Sequence, residues 1–356
     1  MTLLARPRLL AAPSRGRTAL WLAAVAALVA ALTAAPATPA SAAAPEFPYS
    51  FTASSSGNIL SVPGTQKSFT LAAGEAVYLS TRNVSNTLLT SLRSIDNPGT
   101  TFLLSCWKAG ESATNQNGVY SGQNTDTPTE TTVAGYMRWL LVAPTAGTYT
   151  CELQVSSYAR ADTITYAGGR IHMRVNAGAE ILHSYVGPTE VVQSAVHWAM
   201  PNVPRESEYV LWSGIKQLNG YTVPITPGTD TMTIVQDVNI TTCIAGDSGT
   251  WPACAGGSGG STMRTWIDAQ PQYANGTACG PLIKGPVRST WISPDRHHKP
   301  VTDTLVIPRS SIGAGCTHVR TSLKVEHGGG AQAVLHAHWA GATGGNRPTY
   351  GVAYQH

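Results

Sequence analysis

Two β-sandwiches in series are the fold class this sequence predicts, and three observations predict it. Charged residues make up only 12% of the chain, while Gly, Thr, Ser, Val and Tyr are plentiful. No stretch keeps apolar residues at helical spacing for three turns. Short runs that alternate with period two recur along the chain, separated by Gly, Asn, Pro and Thr-rich turns. The expectation is therefore all-β: two antiparallel β-sandwich (jelly-roll-like) domains, stapled by disulfides and without helices.

The chain opens with a segment of a different kind. Arg6, Arg8, Arg15 and Arg17 precede an apolar core over 19–32, and "TPASA" supplies small residues for cleavage near Ala42. This pattern predicts a secretory signal over 1–42 and an extracellular protein. That segment holds four of the 23 Lys+Arg and none of the 19 Asp+Glu, so residues 43–356 carry 19 of each sign. A neutral body without a Lys/Arg run gives no electrostatic argument for nucleic acid. No second apolar stretch approaches the roughly 18–20 residues that span a bilayer, so no membrane insertion is expected after cleavage.

An even number of cysteines in an exported chain predicts disulfides. Six cysteines allow fifteen pairings. Nearness in sequence favours Cys106 with Cys151, Cys243 with Cys254, and Cys279 with Cys316. Zinc would want CxxC-type spacing, which is absent.

Residues 43–160 read as the first sandwich, its clearest strands in "SFTLAAGEAVYLST", "TTFLLSCWK", "YMRWLLVAP" and "TYTCELQVSSY". Within the last, Tyr149, Cys151, Leu153 and Val155 alternate with polar residues, which points Cys151 inward. The run "APTAGTYTC", 143–151, resembles the immunoglobulin tyrosine corner, with Tyr149 two residues before Cys151. The resemblance implies a sandwich and nothing about function.

A boundary near Ala161 separates residues 161–356, the second sandwich, from the first. All ten histidines lie at or after His172 and four of the six cysteines lie beyond 240, so specific chemistry is expected in this half. Strands are read at "RIHMRV", "VVQSAVHWAM", "EYVLWSGIKQL", "TMTIVQDVNITTC", "TMRTWIDAQ", "TLVIP", "THVRTSLKVEH" and "AQAVLHAHWA".

Specific enzyme signatures are missing. "GDSGT" at 246–250 echoes a serine-protease loop, but no histidine precedes position 172 to build the usual pair of barrels. "GGSGG" at 256–260 satisfies G-x-S-x-G without the strand before it and helix after it that a nucleophile elbow requires. HExxH and EF-hand loops are absent, and neither cofactor nor metal is expected. In "SPDRHHKP", Arg296 and Lys299 flank His297 and His298 and oppose a metal ion.

The stretch "HWAMPNVPRESEYVLWSGI" followed by "TIVQDVN", within 197–240, resembles the concanavalin-like jelly roll of the secreted glutamic peptidases. That resemblance implies a catalytic glutamine at Gln236 and a carboxylate on a neighbouring strand, for which Glu326 is the candidate by distance along the chain. The family's Asp-Gly after W-x-G-I is absent, since Lys216 and Gln217 stand there. Gln236 also sits in a row with Met232, Ile234, Val238 and Ile240, so it faces an apolar surface where an unpartnered amide costs on the order of 1–3 kcal/mol.

"THVRTSLKVEH" and "AVLHAHWAG" read as a hairpin with "GGG", 328–330, as its turn. Leu323 then opposes Leu335 and Val325 opposes Ala333 on the core face. The other face carries a basic strip of Arg320, Lys324, His336 and His338, suited to an anionic or hydroxyl-rich ligand and stronger below about pH 6.5. Six of the nine tryptophans lie beyond 161, and Trp251, inside the small 243–254 loop, is the expected exposed one. The functional expectation is a secreted non-catalytic protein that binds carbohydrate, a polysaccharide or cell-surface glycan. The alternative is a secreted hydrolase using Gln236.

Overall fold

A computed structural model describes residues 43–52, 59–96, 98–111, 117–125, 130–186, 208–211, 214–242, 259–293, 298–336 and 350–355. The leader, Ser248, Ser258, Cys243, Cys254, Trp251, His297, His338 and the expected strand at 191–200 lie outside the described residues. Ala43–His356 form one compact unit of antiparallel sheets. No helix among the described residues is long and apolar enough to cross a membrane.

Four layers stack. In the first, Gly147–Tyr158 lies between Gly99–Lys108 and the short strands Leu60–Ser61 and Lys67–Leu71, with Asn117–Asn124 outside Gly99–Lys108. In the second, Ala76–Arg82 is flanked by Glu180–Val186 and Arg138–Val142. Phe69, Leu104, Leu153 and Val155 from the first layer share one core with Val77, Leu79 and Leu141 from the second. A four-stranded side sheet, in the order Phe47–Phe51, Ile171–Val175, Val84–Leu88, Thr132–Gly135, completes this sandwich.

The third layer centres on Thr231–Thr242, paired with His298–Pro308 on one side and with Ala333–His336 and Tyr350–Gln355 on the other. The fourth centres on His318–Gly330, between Ile215–Pro224 and Ser261–Gln272; Ile283–Lys284 and Arg288–Ile292 edge the latter. Met232, Ile234, Val238 and Ile240 meet Met263, Ile267, Val319, Leu323 and Val325 in the second core. The alternating residue Val235, with Tyr350 and Val352, belongs to the first core instead. The third layer is thus buried on both faces, which is why Thr231–Thr242 carries almost no exposed position.

The two sandwiches meet through layers two and three. Arg138 lies across the joint: its guanidinium donates to both carboxylate oxygens of Asp237, to the Thr304 hydroxyl and to the Asp303 carbonyl. Leu140 N–H, on the free edge of its strand, donates to the Tyr350 hydroxyl at 2.9 Å, and the Tyr78 and Tyr354 rings sit 5.4 Å apart. An edge amide buried by this packing would otherwise lack a partner.

Two expected pairings form: Cys106–Cys151 and Cys279–Cys316 are disulfides, each worth about 4 kcal/mol in the chain-entropy account. Cys106 and Cys151 are direct cross-strand neighbours, so this bridge lies within one sheet, unlike the inter-sheet bridge of an immunoglobulin domain. The Tyr149 hydroxyl donates to the Thr145 carbonyl at 2.7 Å, the bond that defines a tyrosine corner.

Three expectations need correction. A six-residue helix, Ala161–Tyr166, stands at the expected boundary where no helix was anticipated. Beyond it, Ile171–Val175 and Glu180–Val186 pair with Phe47–Phe51 and Ala76–Arg82, so strands of the first sandwich continue to Val186. Alternation in "RIHMRV" identifies a strand and carries no information about its partner.

The hairpin is absent as well. His318–Gly330 belongs to the fourth layer and Ala333–His336 to the third. The glycines end the first strand instead of turning it: Gly330, at φ +90°, pairs with Ser261 so closely that a Cβ would lie 2.4 Å from the Gly260 carbonyl oxygen. The chain then crosses between sheets.

Candidate functional site

The outward face of the fourth layer gathers polar and aromatic side chains. Along Ser261–Gln272, Met263, Thr265, Ile267 and Ala269 point inward and are buried, which turns Thr262, Arg264, Trp266, Asp268 and Gln270 outward. Directly opposed residues on paired strands share a face. Trp291 therefore stands beside Thr262, Glu326 beside Arg264, Lys324 beside Trp266, Ser322 and Lys284 beside Asp268, and Arg320 beside Gln270.

These side chains form two groups of contacts in one ladder. Arg264 Nη1 meets Glu326 Oε2 at 3.2 Å. Trp266 Nε1 donates to Asp268 Oδ1 at 2.9 Å, and the Lys284 ammonium lies 4.4 Å above the Trp266 ring. Lys324 Nζ donates to Gln217 Oε1 at 2.6 Å and stands 3.9 Å from Asp268 Oδ2. Trp266, capped by Lys284, is buried despite pointing outward.

One end of this face is open. Trp291 is 52% exposed, its ring edge resting on Gly260, where a Cβ would lie 2.4 Å from the ring. Beside it the floor consists of Thr262 and Gly329, and nothing lies within 4 Å of the place a Gly329 Cβ would occupy. Gly328 is the extra residue of a bulge between these strands, and a Cβ there would lie 3.2 Å from the Thr262 carbonyl oxygen. From strand spacing, Trp291 stands about 8 Å from Arg264 and about 12 Å from Glu326 between Cα atoms.

An exposed indole, a bare floor and a guanidinium–carboxylate pair suit a ligand with one apolar face and several hydroxyls. The indole covers C–H groups, while Arg264 donates and Glu326 accepts along a ring edge.

The structure divides the residues expected from sequence. Arg320, Lys324 and Glu326 lie on this face; His336 lies on the third layer, which breaks the expected strip. Gln236 is completely buried, its amide packed over the Gly351 Cα and its strand neighbour Asp303 also buried. Gln236 is in the third layer and Glu326 in the fourth, where Arg264 pairs with it, so the expected catalytic pair is not assembled. Sequence reasoning singled out neither Arg264 nor Asp268, and it preferred Trp251 to Trp291 as the exposed tryptophan. The available signal was in "TMRTWIDAQ": Trp266 occupies the same alternating row as Arg264, Asp268 and Gln270.

Comparison with known proteins adds little to this geometry. No family model matches the chain. No curated protein sequence does either. Among solved structures, the chain is similar to the CBM22-1–CBM22-2 tandem domain of Paenibacillus barcinonensis Xyn10C, at 11% identity, 89% coverage of this chain, 99% of that one and a TM-score of 0.23. It is similar also to a structure of infectious bursal disease virus, Gt strain, at 10% identity, 93% and 82% coverage and a TM-score of 0.20. Scores this low carry no argument about the chain.

Proposed function

We propose that this is a secreted, non-catalytic protein that binds carbohydrate on the outward face of its fourth layer. The observation that carries the reading is a half-exposed Trp291 beside an open Thr262–Gly329 surface, next to the Arg264–Glu326 pair. Such an indole, held by its edge against Gly260, loses little freedom when a sugar ring covers it. The two disulfides suit an oxidising compartment.

The test is retention of residues 43–356 on insoluble polysaccharides, beside Trp291→Ala. The variant removes an exposed ring and leaves both cores intact, so it folds. Binding weakened about tenfold or more, the equivalent of about 1.4 kcal/mol, is the expected result. Equal retention of both forms would overturn the assignment of this face. Casein cleavage abolished by Gln236→Ala would overturn the non-catalytic reading.

A further inference from the structure

The same face carries an excess of positive charge that its own carboxylates do not match. Among the described residues, Arg264, Lys284, Lys324 and Arg320 point outward here, against Asp268 and Glu326. Glu326 is engaged by Arg264, and Asp268 by Lys324 and the Trp266 indole. Lys284 is exposed, rests on the Trp266 ring and has Asp268 opposite it on the paired strand. Arg320 is exposed, with Gln270 and Thr222 opposite it on the flanking strands, neither of them charged. His318, next in the row, shares a hydrogen bond with the Thr317 hydroxyl and adds no negative charge. Residues 43–356 have equal numbers of each sign, so the surplus belongs to this face and not to the chain as a whole.

We infer that the ligand is an acidic polysaccharide, one whose sugar rings bear carboxylates; this rests on the carbohydrate reading above and specifies its class. A polymer lying from Trp291 along the Ser261–Gln272 strand passes between Lys284 on one side and Arg320 on the other. Strand spacing puts these two Cα atoms about 12 Å apart, so carboxylates on different sugars of one chain meet them separately. The cations are exposed, so the attraction is long-ranged at low salt and is screened over about 10 Å at 0.1 M.

The experiment measures affinity of residues 43–356 for two pairs of polymers that share a backbone and differ in charge: polygalacturonate with its full methyl ester, and carboxymethylcellulose with cellulose. Wild type is expected to favour the acidic member of at least one pair by tenfold or more at 20 mM NaCl. That preference falls below threefold at 500 mM NaCl or in the double variant Arg320→Gln/Lys284→Gln. Trp291→Ala weakens both members of the pair alike. Equal affinity for charged and neutral members overturns the acidic assignment and leaves the carbohydrate reading standing. A preference that persists unchanged in the double variant overturns the role given to these two cations. Absence of binding to all four polymers overturns both readings.

Discussion

Arg138→Met would uncouple the two sandwiches at their most polar contact. The Arg138 side chain is 6% exposed and that of Asp237 15%, and the guanidinium satisfies four acceptor atoms: both Asp237 oxygens, the Thr304 hydroxyl and the Asp303 carbonyl. Methionine keeps the stem and deletes every donor. Asp237 is left as a buried carboxylate with no counter-charge, a change that costs about 3–5 kcal/mol in comparable sites. Replacing both partners, Arg138→Met with Asp237→Leu, removes the stranded charge and should recover most of that loss.

The penalty also depends on pH, with a definite sign. Burial already raises the Asp237 carboxyl, and the Arg138 charge opposes that rise. Without Arg138 the folded-state value climbs further above that of the unfolded chain. A raised carboxyl contributes stability below its unfolded value that is lost as pH rises through the folded value. The single variant is therefore most impaired at neutral pH and closest to wild type near pH 4. Urea midpoints of wild type, both single variants and the double variant, at pH 7 and pH 4, measure the cycle. A single-variant loss below about 1 kcal/mol at pH 7, or a double variant no better than Arg138→Met, would refute the reasoning.

Other expectations follow from single contacts. Asp96 accepts from the Arg93 side chain and amide and from the Thr163 hydroxyl, and the Arg93 hydrogen bonds foremost hold its carboxyl down at about 2. Its stabilisation is full above the ordinary carboxylate range and vanishes as pH falls through about 2, so Asp96→Asn lowers the thermal midpoint at pH 7 and is indistinguishable from wild type below pH 2. Scanning calorimetry at both pH values checks this. Gly330→Ala drives a Cβ to 2.4 Å from the Gly260 carbonyl at φ +90°, where a side chain is also strained. A loss of about 1–3 kcal/mol in urea unfolding is expected, and a change below about 0.5 kcal/mol would show that the two strands part easily.

Much of this architecture is legible from short-range pattern. Period-two alternation identifies Gly147–Tyr158, Thr231–Thr242 and Ser261–Gln272 as strands and assigns Leu153, Ile234 and Ile267 to cores. Spacing and parity place Cys106 against Cys151, and "APTAGTYTC" contains the Tyr149–Thr145 bond in advance. Partner choice is another matter. "RIHMRV" alternates equally well whether it joins the first sandwich or the second, and "GGG" permits a hairpin turn as readily as a close strand crossing.

The site divides along the same line. Arg320, Lys324 and Glu326 alternate on one strand, so their common face is a local property. That Arg264, Trp266 and Asp268 lie beside them, and that Trp291 rather than a histidine edges the face, depends on strands distant in sequence, up to 62 residues away for Arg264 and Glu326. The burial of Gln236 is of this second kind too, because it takes both the neighbouring Gly351 and the opposing fourth layer to enclose it. By itself the sequence determined strand identity, side-chain parity and the near disulfides, since these follow from backbone geometry within a few residues. Only the tertiary structure decided which strands became neighbours and which polar rows met, because pairing energy is nearly the same for many alternating partners and is resolved by burying all the faces at once.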